Sequence, residues 1–448
     1  MMKHKWWAGI PLVLLGVVWG CSDPVPNVLP EPEPPPVRDL PISTIQNPAV
    51  WMESSDKVVV NKLQPWGDDE RYYFLLTTLG QKRTQVIGQT ENRSIRRDYI
   101  LSGAPSMYVN DMITYSYWHD PTQVFVGGTD HEDVYASTGD LDEFGLSPAK
   151  LSVASYIDFQ GYKTQFTSIC MANTLSVPLG ADGEDFLIAG NGYADGTAHP
   201  FIATYNFRRY YQVYDSMTTA TFFDAPGREF LRISYDFDDG LFVFAYDNFT
   251  NEVVVTRYQD VDVNGNHAHE KKDSFKPLWE KRLSLTIDKA LFNVAEFDDT
   301  YNHTLYIAGT VKTGQGDTAG KIISLDAPTG KVLQDTVFDF SDKNDGFYGI
   351  AKSGENFFAY GYTEQVLSGS EPLSSKGWAL KLSDQGKPLR NHIYEIDHAV
   401  IELTATVGGY EQNSWTNEGY VAVAGYRKVN GQYAAFATQF YHRYKEDF

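Results

Sequence analysis

One short apolar strand that closes on a small residue recurs along this chain at nearly even intervals, and that recurrence limits the fold more than any other feature. The copies are Phe125-Val126-Gly127-Gly128, Phe186-Leu187-Ile188-Ala189-Gly190, Leu241-Phe242-Val243-Phe244-Ala245, Leu305-Tyr306-Ile307-Ala308-Gly309, Phe357-Phe358-Ala359-Tyr360-Gly361 and Tyr420-Val421-Ala422-Val423-Ala424-Gly425. A degenerate first copy is Tyr72-Tyr73-Phe74-Leu75-Leu76. Measured from Leu76 through Gly128, Gly190, Ala245, Gly309 and Gly361 to Gly425, the steps are 52, 62, 55, 64, 52 and 64 residues. The chain therefore reads as seven units of one supersecondary size.

Each marker strand is preceded by another, as in Phe230-Leu231-Arg232-Ile233-Ser234 and Phe347-Tyr348-Gly349-Ile350-Ala351. A third follows it, as in Lys321-Ile322-Ile323-Ser324-Leu325, then a turn such as Asp326 to Lys331, then a fourth such as Val332-Leu333-Gln334-Asp335. Asp, Pro and Gly give these turns a hydrogen-bonding side chain, a fixed φ and a positive φ. Four antiparallel strands per unit predict an all-β fold, a seven-bladed β-propeller of four-stranded blades over residues 46–448. The small residue ending each marker strand is expected to let the neighbouring sheet approach closely. The seventh unit lacks a fourth strand, and Val58-Val59-Val60 is expected to complete it beside Ala434 to Phe440.

The units containing Gly309 and Gly361 resemble the repeats of bacterial extracellular propeller proteins, in which an apolar strand closing on Gly-Tyr-Thr precedes one ending in Leu-Asp or Leu-Ser. Here these are Gly361-Tyr362-Thr363, Leu325-Asp326 and Leu382-Ser383. The resemblance implies a fold and names no task, because propellers host many.

The first residues give an address. Lys3 and Lys5 precede an apolar run of 14 residues, Trp6 to Trp19. A bilayer needs roughly 20 residues, so residues 1–20 are expected to be an export signal. Val18-Trp19-Gly20-Cys21 resembles a lipobox, which implies a bacterial lipoprotein with Cys21 acylated and the chain held on the membrane. Cys21-Ser22-Asp23 is similar to the signal that sends Bacteroidota lipoproteins to the outer face of the outer membrane. Residues 21–45 are expected to be a tether, since Ser22 to Pro41 carries eight prolines and favours extended polyproline geometry.

Charge narrows the partners. The formal net charge is −21, and removing Lys3 and Lys5 with the leader makes it −23. So acidic a surface repels phosphate backbones and excludes nucleic acid as a partner. Cys170 would be the only cysteine left for pairing, so no internal disulfide is expected.

Several segments have the composition of sites. Asp260, Asp262 and Asn264, followed by Gly265, resemble the first half of an EF-hand calcium loop, but the twelfth position is Lys271. A hairpin whose Asp, Asn and Gly form the turn is the preferred explanation, with calcium the alternative and no cofactor expected. His131 and Glu132 in Asp130-His131-Glu132-Asp133 offer metal or partner contacts, without a spacing that specifies a metal. Trp415 lies in a polar segment, Tyr410 to Asn417, and is the aromatic best placed to meet a ligand or partner. Trp378 reads as core, and Cys170 as a small buried residue on the first strand of the third unit. No nucleophile with its base, no metal set and no cofactor loop emerges, so a catalytic set is not assigned.

These features predict a surface-exposed outer-membrane lipoprotein that binds or scaffolds, as an accessory subunit of an outer-membrane protein complex. The alternative is a surface glycan-binding protein or a glycan-degrading hydrolase or lyase. Thr129 to Pro148 and Val366 to Lys376 are expected to project as docking insertions.

Overall fold

The computed structural model describes residues 36–46, 48, 50–55, 57–66, 71–78, 83–89, 96–100, 108–115, 123–130, 133–140, 149–152, 161–172, 183–208, 219–236, 240–259, 275–299, 302–314, 316–353, 356–410 and 418–443. A 3-10 turn at Val37–Asp39 is followed by β1 (Ile42–Gln46) and β2 (Val50–Ser54). Five separate four-stranded antiparallel sheets come next, each a meander. The first is β3 (Val58–Trp66), β4 (Arg71–Thr78), β5 (Arg83–Gln89) and β6 (Arg96–Ile100), and the second is β7 (Tyr108–Tyr115), β8 (Gln123–Asp130), β9 (Asp133–Asp140) and β10 (Ala149–Ser152). The third is β11 (Lys163–Ala172), β12 (Gly183–Ala194), β13 (Thr197–Arg208) and β14 (Thr219–Phe222). The fourth is β15 (Arg228–Asp236), β16 (Gly240–Asp247), β17 (Glu252–Gln259) and β18 (Lys276–Leu283), and the fifth is β19 (Val294–Asp299), β20 (Asn302–Lys312), β21 (Thr318–Asp326) and β22 (Val332–Phe338).

The remaining strands depart from separate sheets. The sixth unit, β23 (Asn344–Ser353), β24 (Asn356–Ser368), β25 (Glu371–Leu382) and β26 (Pro388–Glu395), and the seventh, β27 (Val400–Tyr410), β28 (Glu418–Val429) and β29 (Gln432–Arg443), share one nine-stranded sheet with β1 and β2. A single parallel bridge, Ser375 to Val400, joins the two units. The marker strands are β4, β8, β12, β16, β20, β24 and β28, always second in their unit. Among the described residues, no helix is long and apolar enough to cross a membrane.

The N-terminal segment clasps the last two units. β2 pairs antiparallel with β29, from Val50 opposite Phe436 to Ser54 opposite Tyr433, and so supplies the seventh unit's fourth strand. The expected strand, Val58-Val59-Val60, instead opens the first unit beside β4. Its valines are at most 5% exposed, and Val58 and Val60 pack on Ala405, Ala422, Ala424 and Ala435 of the seventh unit. A run of consecutive apolar residues suits a strand covered on both faces, not an outer edge. The expected tether of residues 21–45 also ends differently, because the chain joins the body from Pro36 onward. Val37 and Leu40 are buried with Trp378 and Ile393, and β1 runs parallel to β26.

The marker residues have a local cause. In six units the first strand carries a β-bulge where it passes the marker residue. The register slips between Val60 and Lys62 at Leu76, between Val109 and Asp111 at Gly128, and between Phe166 and Ser168 at Gly190. It slips likewise between Phe230 and Arg232 at Ala245, Phe347 and Gly349 at Gly361, and Leu403 and Ala405 at Gly425. A bulge bends its strand and pushes a backbone carbonyl toward the partner. A Cβ on Gly361 or Gly425 would collide with the carbonyl oxygen of Gly346 or Glu402. The close approach thus comes first from the unit's own strand, not from the neighbouring sheet. The fifth unit differs, with an isolated Thr286–Thr310 bridge beside Gly309.

Packing follows the order of the chain. Buried clusters join the third unit to the fourth, the fourth to the fifth, the fifth to the sixth, the sixth to the seventh and the seventh to the first. The first strands β3, β7 and β11 touch in succession, and so do β19, β23, β27 and again β3.

Candidate functional site

Because the bulges stand at one level of successive first strands, the side chains beside them meet. Asp111 on β7 is the centre of one cluster. Lys62 on β3 forms an ion pair with its Oδ1, while Ser168 Oγ donates to Oδ2 at 2.8 Å and the Ile169 amide donates to it at 3.1 Å. Ser168 in turn accepts from the Ile233 amide at 3.2 Å. Arg232 on β15 reaches back to β11, its Nη1 donating to the Thr167 carbonyl at 2.7 Å. The third and fourth units are also locked by Asn191, whose Oδ1 accepts from the Phe230 amide at 2.8 Å and whose Nδ2 donates to the Phe230 carbonyl at 3.1 Å. Burial works to raise the Asp111 carboxyl, but Lys62, Arg232 and the Ile169 amide hold it below the usual carboxylate range.

Glu402 on β27 is the centre of the second cluster. It is 3% exposed, and its Oε2 accepts from the hydroxyls of Tyr348 and Tyr426, each at 2.6 Å. Its Oε1 accepts from Gln365 Nε2 at 2.9 Å. Burial, reinforced by the Glu402 charge, pushes both phenols well above their ordinary value, so they remain protonated donors. Thr404, on the bulge of β27, donates to the Val60 carbonyl at 2.8 Å and ties the seventh unit to the first.

The two clusters differ from what the sequence singles out. Cys21, His131, Glu132, Asp260, Asp262, Asn264 and Trp415 all lie outside the described residues. Among the described residues, no group of three or more His, Cys, Asp or Glu is arranged to hold a metal ion. Trp378 is fully buried, as expected of core, and Cys170 lies on the first strand β11 as expected but is only partly buried, packed against the core that joins the third and fourth units. The described parts of the two expected insertions belong to regular hairpins. Thr129, Asp130 and residues 133–140 belong to β8 and β9, and Val366 to Lys376 forms the ends of β24 and β25 around Gly369. At the second tip Leu367 and Leu373 are 45% and 62% exposed.

Lys62, Asp111, Arg232 and Glu402 belong to none of the segments with the composition of a site, although each carries a signal. Arg232 and Glu402 each stand between apolar neighbours, in Phe230-Leu231-Arg232-Ile233 and Val400-Ile401-Glu402-Leu403, and Lys62 and Asp111 each follow an asparagine in an otherwise apolar run. A charge there must be paired or hydrogen-bonded, which marks it for a polar ring.

No protein-family model matches the chain, and no curated protein matches it. Among solved structures the chain is similar to a post-proline cleaving enzyme from Rickettsia typhi, at 9% identity and a TM-score of 0.38 over 86% of this chain. It spans about half of that enzyme's length, 53%. It is also similar to the GH43_1 enzyme from Xanthomonas citri complexed with xylose, at 8% identity and a TM-score of 0.31 over 76% of this chain and 93% of that one. A third is the catalytic domain of the Coprinopsis cinerea GH62 alpha-L-arabinofuranosidase, at 10% identity and a TM-score of 0.30 over 75% and 89%. Likeness at this level assigns no activity.

Proposed function

We propose that this chain is a surface-exposed outer-membrane lipoprotein, acylated at Cys21, whose seven-bladed β-propeller binds and scaffolds as an accessory subunit of an outer-membrane protein complex. One observation favours binding over catalysis. Among the described residues the three buried carboxylates of the first strands, Asp111, Asp345 and Glu402, all have each oxygen engaged by protein donors. General acid–base chemistry needs a carboxyl that can exchange its proton with a substrate, and these act as structural acceptors. The β24–β25 hairpin, with Leu367 and Leu373 outward, is the proposed docking element. The test is purification of the full chain from membranes in mild detergent, beside Leu367→Ser/Leu373→Ser. A partner should come with the wild type and be lost from the variant at unchanged melting temperature.

The second reading is a surface glycan-binding protein. It is favoured by the polar side chains that Lys62, Asp111 and Arg232 bring to the first strands, where a polar ligand would find hydrogen-bonding partners. Purified protein that retains a defined polysaccharide and brings no protein partner would put this reading first.

A further inference from the structure

Three charged side chains, Lys62, Asp111 and Arg232, occupy the position just past the bulge of their first strands. Lys62 and Asp111 pair with each other. Arg232 is the exception. It is 6% exposed, yet only its Nη1 is engaged, and only by two backbone carbonyls, Thr167 at 2.7 Å and Leu231 at 3.2 Å. Among the described residues no carboxylate lies within ion-pair distance of it, and its Nε and Nη2 have no acceptor.

A guanidinium buried to this degree with no carboxylate in direct contact is costly even with the Asp111 charge nearby, and the Nε–Nη2 edge is the fork that grips a planar carboxylate with two parallel hydrogen bonds. The surroundings favour the same ligand. Lys62 and Arg232 against Asp111 leave a local charge of one positive, inside a chain whose formal net charge is −21.

We propose that the free edge of Arg232 is the anchor of a small-ligand site that takes a carboxylate, carried either by a uronic acid of an acidic glycan or by a simple organic acid. The site is separate from the β24–β25 docking hairpin, and neither depends on the other.

The test is calorimetric titration of the folded full chain with galacturonate, oligogalacturonate and acetate, with galactose as the neutral control. Galacturonate should bind and galactose should not. Tighter binding of the oligomer would assign the site to an acidic glycan, and equal binding of acetate would assign it to organic acids. Arg232→Lys keeps the charge and removes the fork, and should weaken the carboxylate by about 10-fold. Asp111→Asn removes the competing negative charge and should tighten it, which supplies a second reading if Arg232→Lys does not fold. Absence of binding by every carboxylate, or affinities unchanged in both variants, would overturn the site. Neither result would bear on co-purification of a membrane partner.

Discussion

Trp378 and Asn391, both fully buried in the sixth unit, share a 2.9 Å hydrogen bond in which the indole Nε1 donates to the amide Oδ1. The same asparagine donates through Nδ2 to the Val37 carbonyl at 2.7 Å, and its backbone amide donates to the Pro41 carbonyl at 2.9 Å. One side chain therefore fixes the core tryptophan of the unit and the segment that arrives from the N-terminus. Arg38 adds exposed ion pairs to Asp339 and Asp342, which are worth little by comparison.

Asn391→Ala should cost about 3 kcal/mol, because it strands the buried indole donor and the Val37 carbonyl together. Urea unfolding gives the cost, and limited proteolysis should show faster cleavage within residues 36–46. A change within about 0.5 kcal/mol, with no new cleavage, would mean that β1 alone holds the segment.

Gly425→Ala should destabilise by more than about 2 kcal/mol, since the bulge sets the Glu402 carbonyl against the position a Cβ would take. Gly314→Ala meets nothing within 4 Å and is the control. Equal melting temperatures for the two variants would show that the bulge yields freely.

The same relationship explains how much of the fold was legible. The spacing of small residues located six of the units, and in five of them the small residue answers a bulge of the first strand; Leu76 meets a bulge without being small, and Gly309 stands beside the isolated Thr286–Thr310 bridge instead. The closing strand was not legible, because Val50-Trp51-Met52-Glu53-Ser54 is less apolar than Val58-Val59-Val60, and apolarity marks the covered first strand rather than the edge. The polar clusters were missed for a different reason. Asp111 and Glu402 gather donors from strands 50 or more residues away in several cases, such as Ser168 and Tyr348, and no local spacing records such contacts.

Asp111→Asn tests the first cluster through pH. The native carboxyl titrates below its unfolded value of about 3.9, so its contribution is complete above that pH and is lost as pH falls through the lower folded value. At pH 7 the substitution should cost about 3–5 kcal/mol by breaking a buried pair with Lys62. The gap between wild type and variant should narrow below about pH 4. A gap that stays constant from neutral to acid pH would place the effect in packing instead.

Tyr348→Phe and Tyr426→Phe should each cost about 1.5–3 kcal/mol, the worth of a hydrogen bond to a charged acceptor. Either hydroxyl alone still serves Glu402 Oε2, and only the double variant leaves that buried oxygen bare. The double loss should therefore exceed the sum of the singles by about 1 kcal/mol. Simple additivity would mean that water replaces the missing donor.

Removal of the clasp is the broadest test of closure. A chain that begins at residue 48 loses β1 but keeps β2 on β29, and it should fold as a monomer with lowered stability. A chain that begins at residue 55 also loses β2 and leaves β29 with an open edge. An open edge offers unpaired amides and carbonyls to other copies, so the shorter chain should associate in sedimentation while the longer one does not. If both remain monomeric with the same melting temperature, pairing of β2 with β29 contributes nothing to closure, and the packing of Val58 and Val60 on Ala405 and Ala424 holds the first and seventh units together on its own.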